Sequence, residues 1–171
     1  MNDAEHNPSE QVPDTEGLAE KSKLLLQDCD YSTLATQSLK HSGFPFASVV
    51  PYALDELGRP LFLISSMATH TKNLKTDDHA CLLVESSDSE ERLAGARVSV
   101  IGNIAPIPKE NEAEVASASQ VYLKKHPTAR QWADFGDFTW CRLEIEEIYV
   151  VAGFGSMGWV KRDDYLSLFP D

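Results

Sequence analysis

A cluster of hydroxyl-bearing and basic side chains lies in residues 64–78, ISSMATHTKNLKTDD. Its cations, His70, Lys72 and Lys75, fall within a short helix that the hydrophobic pattern predicts over residues 68–75. Free backbone N–H groups and the helix dipole favour an anion at the start of a helix. We therefore predict that this segment binds one phosphate monoester.

The hydroxyl groups of this cluster support the same prediction, but they also have a simpler explanation. Ser65, Ser66, Thr69 and Thr71 can donate hydrogen bonds to a phosphate. Alternatively, Ser66 or Thr69 could cap the helix, because both residue types are favoured at an N-cap. The residues alone leave both explanations open.

A cofactor with a ring system also needs a flat apolar surface. The candidate side chains are Phe44, Phe46, Phe154 and Trp159. Packing in the core is the alternative role for these aromatic residues.

Arg97 is a polar exception within a long apolar strand. An unpaired guanidinium is costly to bury, so we expect Arg97 to contact a carboxylate, a ligand or a second subunit. A salt bridge is the simplest of these three interpretations.

The segment GFGSMG, residues 153–158, fits the glycine pattern of a dinucleotide-binding turn and follows a strand. Only thirteen residues come after Gly158, whereas a βαβ unit needs roughly thirty. We therefore interpret the segment as a flexible turn.

The composition restricts the class of protein. Fifteen basic and twenty-seven acidic residues give a net charge of -12, which would repel nucleic acid. We find neither a signal peptide nor an apolar run as long as a membrane span, and we predict a soluble, cytoplasmic protein. Cys29, Cys81 and Cys141 are odd in number and widely spaced, which favours a reducing compartment. The histidines form no HxH or HxxxH pair, so no protein-only metal site is predicted.

The hydrophobic pattern predicts a strand-rich domain over residues 18–171, after a disordered acidic tail over residues 1–17. Helices are expected over residues 18–26, 68–75 and 109–125. Six strands are expected over residues 31–38, 43–54, 61–64, 79–85, 96–107 and 138–153. The turn-prone DELGRP predicts a hairpin between the second and third strands, and Pro51 indicates an edge or a bulge. Strands joined mostly by short turns predict a small antiparallel barrel.

The last strand changes the parity of its apolar positions. Cys141, Leu143 and Ile145 share one face, whereas Ile148 and Val150 follow the opposite alternation. One extra residue would return all five side chains to the same face. We therefore predict a β-bulge where the alternation changes.

An ordered set of segments runs through residues 20–162: YSTLATQS, GFPFASVVPYAL, GRPLFLISSMATHTKNLKTDDHACLLV, ARVSVIGNIAPI, YLKKHP, FGDF and YVVAGFG. Its most specific part is LFLIS, followed by HTKNL and a short strand. This set resembles the HugZ-like branch of the FMN-binding split-barrel family, which is related to pyridoxamine 5'-phosphate oxidase. The resemblance implies a mainly β, α+β fold, namely a six-stranded antiparallel split β-barrel with flanking helices. It also implies a homodimer with an FMN site at the subunit interface.

The resemblance further implies which residues bind the cofactor. Those at the phosphate and ribityl end are Ser48, Ser65, Ser66, Thr69, His70, Thr71, Lys72 and Asn73. Arg97 would reach the flavin from the long strand, and Phe154 and Trp159 would flank its ring. The predicted function is an FMN-dependent oxidoreductase acting on a small, unidentified substrate. The alternative is a non-catalytic dimeric binding or regulatory module on the same fold, with haem as a candidate ligand.

The sequence departs from pyridoxamine-phosphate oxidases at three places. Thr69 and His70 replace two basic residues at the helix start, and Ala47 and Ser48 replace an arginine on the second strand. GSMGWVKRDDY stands in place of the C-terminal substrate-binding motif, so we do not expect oxidation of vitamin B6. Haem-degrading members of the branch carry an additional C-terminal segment that provides the haem ligand, whereas this sequence stops at FPD soon after the predicted barrel, so haem turnover is not expected either.

Overall fold

The structure is a computed structural model that describes residues 15–86, 95–153 and 155–169. Its helices are α1 (Thr15–Asp28), α2 (Thr69–Leu74), α3 (Glu112–Lys125) and α4 (Arg162–Leu166), and a 3-10 turn, Pro127–Gln131, follows α3. Its strands are β1 (Tyr31–Gln37), β2 (Pro45–Pro51), β3 (Ala53–Leu54), β4 (Pro60–Ser65), β5 (His79–Glu85), β6 (Arg97–Pro106), β7 (Phe138–Val151) and β8 (Met157–Lys161). The predicted class, a mainly β fold with flanking helices, is confirmed. The described residues nevertheless contain eight strands instead of the predicted six.

All eight strands form one antiparallel sheet that curls into a half-barrel. The order is β2-β1-β5-β6-β7-β4-β3, and β8 pairs with β7 outside this path. Buried and accessible residues alternate along β1, β5 and β6, as expected for strands with one face in the core. We call the face that packs on α1 the inner face and the opposite one the outer face.

The main part of the core lies between α1 and the inner face, and two smaller buried clusters lie between β4 and α3. Leu18, Leu25 and Leu26 of α1 are buried in one cluster with Leu34 of β1 and Val100 of β6. The helix is longer at both ends than predicted, and residues 15–17 of the predicted tail belong to its first turn. Residues 1–14 of that tail lie outside the described residues. No helix in the described ranges is long and apolar enough to cross a membrane.

A β-bulge lies in β7 where the change of parity predicted it. The register of β6 and β7 shifts between Ile101 and Gly102, whose partners are Glu147 and Ile145, so Glu146 is the extra residue. The five apolar residues on either side of the bulge are all buried: Cys141, Leu143, Ile145, Ile148 and Val150. A Cβ at position 102 would clash with the β7 backbone, which explains the glycine opposite the bulge.

The hairpin predicted between residues 43–54 and 61–64 is only partly correct. β2 pairs with β1 along its whole length, and only the two-residue β3 pairs with β4. The strand breaks after Pro51, which has no N–H to continue a ladder, and the buried Tyr52 follows. The chain passes there from one end of the sheet order to the other. Pro51 therefore ends an edge strand, as its residue type predicted.

Candidate cofactor-binding site

The loop before α2 is held by Asp137 and not by a helix cap. The N-cap of α2 is Ala68, and no side chain caps this helix in the described structure, so capping by Ser66 or Thr69 is wrong. Ser65 Oγ donates to Asp137 Oδ2 at 2.7 Å, and Ser66 N donates to Asp137 O at 2.7 Å. The hydroxyl of Ser65 therefore anchors the loop to the start of β7.

Ser48 and His70 meet beside α2. Ser48 Oγ lies 2.9 Å from His70 Nδ1, and both side chains are half-buried. Burial lowers the pKa of His70, so its ring is neutral at pH 7 and adds no positive charge to a phosphate site. The pair supplies hydrogen-bonding groups, and any cation for a phosphate must come from another residue.

Asn73 is buried and has an internal role. Its Nδ2 donates to Thr36 Oγ1 at 2.9 Å, and its Oδ1 accepts from Leu39 N at 2.9 Å. Both polar groups of this amide therefore hold α2 against the end of β1. Thr69 and Lys72, in contrast, are exposed and accessible to an external anion.

Arg97 and Trp159 lie far from α2 in the same chain. β5 begins at His79, soon after α2, and ends at Glu85, which pairs with Arg97 of β6. Six residue steps along a strand span about 20 Å, so one chain does not bring Arg97 to the α2 cluster. Trp159 lies on β8 at the same end of the sheet as Arg97. Phe154, the second predicted ring contact, is outside the described residues.

The outer face carries a row of side chains across six strands. The row, read across the paired strands, consists of Val49, Thr33, Leu83, Ser99, Tyr149 and Trp159. Val49 is 73% exposed and Trp159 is 52% exposed, although each lies in a regular strand. Sequence reasoning singled out Trp159 but missed the row, because the row exists only after six strands have paired. Accessible apolar side chains in this arrangement are typical of an interaction surface.

A groove of about 560 Å³, which we call the outer groove, is lined by residues next to this row. Its apolar wall includes Ala35, Pro45, Cys81 and Ile101, and its polar lining includes His79. Burial raises the pKa of Cys81, so its thiol is neutral. The outer groove can therefore accept an apolar ring and contact it with one imidazole.

His79 is a functional candidate that the sequence analysis missed. Its Nδ1 donates to Asp77 Oδ1 at 2.7 Å, and this hydrogen bond raises the pKa of His79 and lowers that of Asp77. A carboxylate on one ring nitrogen orients an imidazole and leaves Nε2 for a metal. Asp77, Asp78 and His79 also place ligand atoms within 4.8 Å of one another, although Asp77 already binds His79. The useful signal was an aspartate two residues before the histidine, not an HxH spacing.

Comparison with known proteins identifies the family. A family model described as the CREG β-barrel matches residues 13–167. This chain belongs to that family. It is 37% identical over 136 residues to the chloroplastic, non-canonical heme oxygenase HOZ of Arabidopsis thaliana. These residues make up 77% of this chain and 40% of HOZ.

Solved structures confirm the split-barrel fold. A heme-binding protein from Mycobacterium smegmatis has a TM-score of 0.80 and 29% identity, over 88% of this chain and 60% of that protein. A pyridoxinephosphate oxidase family protein from Clostridium acetobutylicum has a TM-score of 0.66 over 88% of this chain and 98% of that protein. At 14% identity the second similarity supports the fold alone. The predicted relation to the split-barrel superfamily is confirmed. This chain covers less than two thirds of the length of HOZ and of the mycobacterial protein.

Proposed function

We propose that this protein binds haem as a homodimer, with the cofactor in the outer groove between two subunits. The proposal is carried by the outer groove, a recess with one apolar wall and a polar lining that includes Asn103 and Glu146, which presents an exposed imidazole oriented by a carboxylate. Two relatives support the choice of ligand, since HOZ is a heme oxygenase and the mycobacterial protein is heme-binding.

The exposed outer face supports the homodimer. A second copy packed on this face would remove the side chains of Val49 and Trp159 from water. A two-fold dimer uses the same patch on both subunits, so the second copy would cover each outer groove. In such a dimer Arg97 and Trp159 would contact the α2 helix of the second copy. They do not reach the α2 helix of their own chain.

The outer groove offers haem two kinds of contact. Ala35, Cys81 and Ile101 can pack on a porphyrin ring, and apolar burial stabilises binding by about 25 cal/mol per Å². His79 Nε2 is the candidate iron ligand, and Asp77 would keep the imidazole oriented. Bound haem would supply redox chemistry through its iron, while these residues bind and orient it.

An FMN-dependent oxidoreductase acting on a small substrate is the second candidate function. It is supported by the fold shared with the clostridial protein and by the exposed Thr69 and Lys72 near the Ser48–His70 pair. A phosphate dianion would depend mainly on Lys72, because His70 is neutral. We rank FMN second for this reason.

Parallel titrations of the purified full chain with haemin and with FMN distinguish the two candidates. We expect haemin to give a saturable shift of its Soret band at micromolar concentration, and FMN fluorescence to remain unquenched. Quenching of FMN without a Soret shift would favour the flavoprotein. Absence of both responses would contradict both candidates, and sedimentation of the same samples measures the dimer.

We also infer the reducing, cytoplasmic location that the sequence predicts. Cys81 and Cys141 are free thiols within the described part of the chain, as expected where disulfides do not persist. HOZ is chloroplastic, so the location of a tagged full-length protein is the measurement that decides between the cytoplasm and an organelle.

A further inference from the structure

A second pocket, of about 590 Å³, is lined by α2 together with the ends of β4, β6 and β7. We call it the α2 pocket. Its apolar walls include Ile64, Leu74, Ile104 and Cys141. None of the described residues that line it also lines the outer groove. The α2 pocket is therefore a separate place where a molecule could bind.

Thr71 is the unusual residue of the α2 pocket. Only 8% of its surface is exposed, and its Oγ1 has no hydrogen-bond partner among the described residues. A buried hydroxyl without a partner destabilises a fold, and such groups are rare in native proteins. Thr71 lines the pocket, but Oγ1 itself is covered, and no hydrogen bond to a described residue fixes its rotamer. Rotation about the Cα–Cβ bond would turn Oγ1 toward a bound molecule, which can then provide the missing partner.

The part of α2 that carries Thr71 differs from the part that contacts β1 and β2. Thr71 and Asn73 are two residues apart on the helix, so their side chains point in different directions. Asn73 contacts Thr36 of β1, whereas Thr71 lines the α2 pocket. Neither Ser48 nor His70 lines this pocket. A ligand of the α2 pocket would therefore not need the Ser48–His70 pair.

The charges around the α2 pocket offset each other. Lys75 and Asp78 both line the pocket and are both exposed, so a ligand meets one cation and one anion. Burial raises the pKa of Cys141 to about 12, so its thiol is neutral. The other polar lining groups are the hydroxyls of Ser66, Thr71, Thr76 and Thr139.

We propose that the α2 pocket binds a small, uncharged, mostly apolar molecule whose hydroxyl or carbonyl group hydrogen-bonds to Thr71 Oγ1. The pocket volume lies within the range of about 300–1,000 Å³ found for sites of drug-sized ligands. The apolar walls favour binding of any molecule of suitable shape, and the buried hydroxyl selects molecules that can form its hydrogen bond. This site is independent of haem in the outer groove.

Binding of 2-naphthol and of naphthalene to the full chain tests the role of Thr71. The two probes share their fused rings and differ by one hydroxyl group, and the methyl NMR signals of Ile64 and Ile104 report occupancy. We expect 2-naphthol to bind about two- to tenfold more tightly, the range for one neutral hydrogen bond. Thr71→Val keeps the shape of the side chain and should bind both probes equally. Equal affinities in the wild type, or a preference that persists in Thr71→Val, would overturn the proposal.

A second pair of variants tests the location without changing Thr71. Ala105 lines the pocket and is exposed, so Ala105→Trp should occlude it and weaken 2-naphthol binding by about tenfold or more. Ala113→Trp, at an exposed position of α3, is the matched control and should bind normally. Equal binding by the two variants would contradict the location. Tighter binding of 2-naphthoate than of 2-naphthol would contradict an uncharged ligand, and competition by FMN would contradict a separate site.

Discussion

The two faces of the sheet use the same strands for different purposes. On β5, Leu82 lies on the inner face and is fully buried, whereas its neighbour Leu83 lies on the outer face and is 37% exposed. The inner face packs on α1 of the same chain, while the outer face of β2, β5 and β8 keeps accessible apolar residues, namely Val49, Leu83 and Trp159. Because side chains alternate along a strand, one segment can specify folding on one face and association on the other.

Replacing these two neighbouring leucines should separate the two roles. Leu82→Ala removes methyl groups from the packed core, and we expect it to lower the free energy of unfolding by about 2–5 kcal/mol. Leu83→Ala should lower it by only about 0.5 kcal/mol within one subunit. Urea unfolding at several protein concentrations measures the free energy of unfolding of both variants. The stability of a dimer depends on protein concentration, and only Leu83→Ala should weaken this dependence. Equal losses in the free energy of unfolding would mean that Leu83 contributes as much to the stability of one subunit as Leu82 does.

The proposed association through the outer face should be lost when this face receives a charge. Val49→Asp would place a carboxylate in the row, and an unpaired charge in a closed interface costs about 3 kcal/mol or more. We expect the dimer to weaken more than about a hundredfold and to sediment as a monomer. Ala113→Asp, which adds the same charge on α3, is the control and should remain dimeric. Association unchanged by Val49→Asp would place the interface elsewhere.

The inner face could be predicted because buried positions leave a periodic trace in the sequence. The parity change between Ile145 and Ile148 located the bulge, and the spacing of apolar residues located α1. Strand pairing was harder to predict, because no sequence pattern near Tyr52 indicates that β2 and β3 lie at opposite edges of the sheet. β8 was missed because Met157–Lys161 is short, contains a glycine, and follows a glycine-rich turn.

The candidate site was less predictable than the fold, because the same polar residue types can bind a ligand or the chain itself. Ser65 and Asn73 were assigned to a phosphate, but their side chains hydrogen-bond to Asp137 and Thr36. Both partners lie on distant segments, so pairing of the strands decides these contacts. His79 was missed for a related reason, since the outer groove beside it forms only when β1, β5 and β6 come together.

The His79 variant tests whether the outer groove holds haem through its imidazole. We expect His79→Ala to weaken haemin binding by about tenfold or more and to change the Soret band, and added imidazole to restore the wild-type spectrum. Asp77→Asn should have a smaller effect of the same sign, because it only loosens the orientation of the ring. His41→Ala, at an exposed histidine outside the groove, is the control. If His79→Ala binds haemin with an unchanged spectrum, the proposal of haem binding stands, but His79 is not the iron ligand.

Thr71 offers a smaller test on the inner side of the molecule. Without a ligand, Thr71→Val should stabilise the chain by about 1 kcal/mol, because it removes a buried hydroxyl that has no partner among the described residues. For a chain of this size we expect the Tm to rise by about 2–4 °C in thermal unfolding. Thr69→Val, at an exposed position of the same helix, should leave the Tm nearly unchanged. A lower Tm for Thr71→Val would show that this hydroxyl already has a stabilising contact.

The smallest effect is expected from protonation of His70, which lies at the boundary between α2 and β2. Burial holds the pKa of His70 below its ordinary value of 6.5, so the unfolded chain takes up this proton first as the pH falls. The stability contributed by the neutral ring is therefore complete above pH 6.5 and is lost as the pH decreases toward the lowered pKa. His70→Asn keeps a hydrogen-bonding group for Ser48 but does not titrate, so its Tm should decline less than that of the wild type on acidification. The contribution of His79 to the pH dependence of stability has the opposite sign, because Asp77 raises the pKa of His79. Both the wild type and His70→Asn contain His79, so its contribution cancels in the comparison. Parallel declines in Tm would mean that the His70 ring accepts its proton as readily in the folded chain as in the unfolded one.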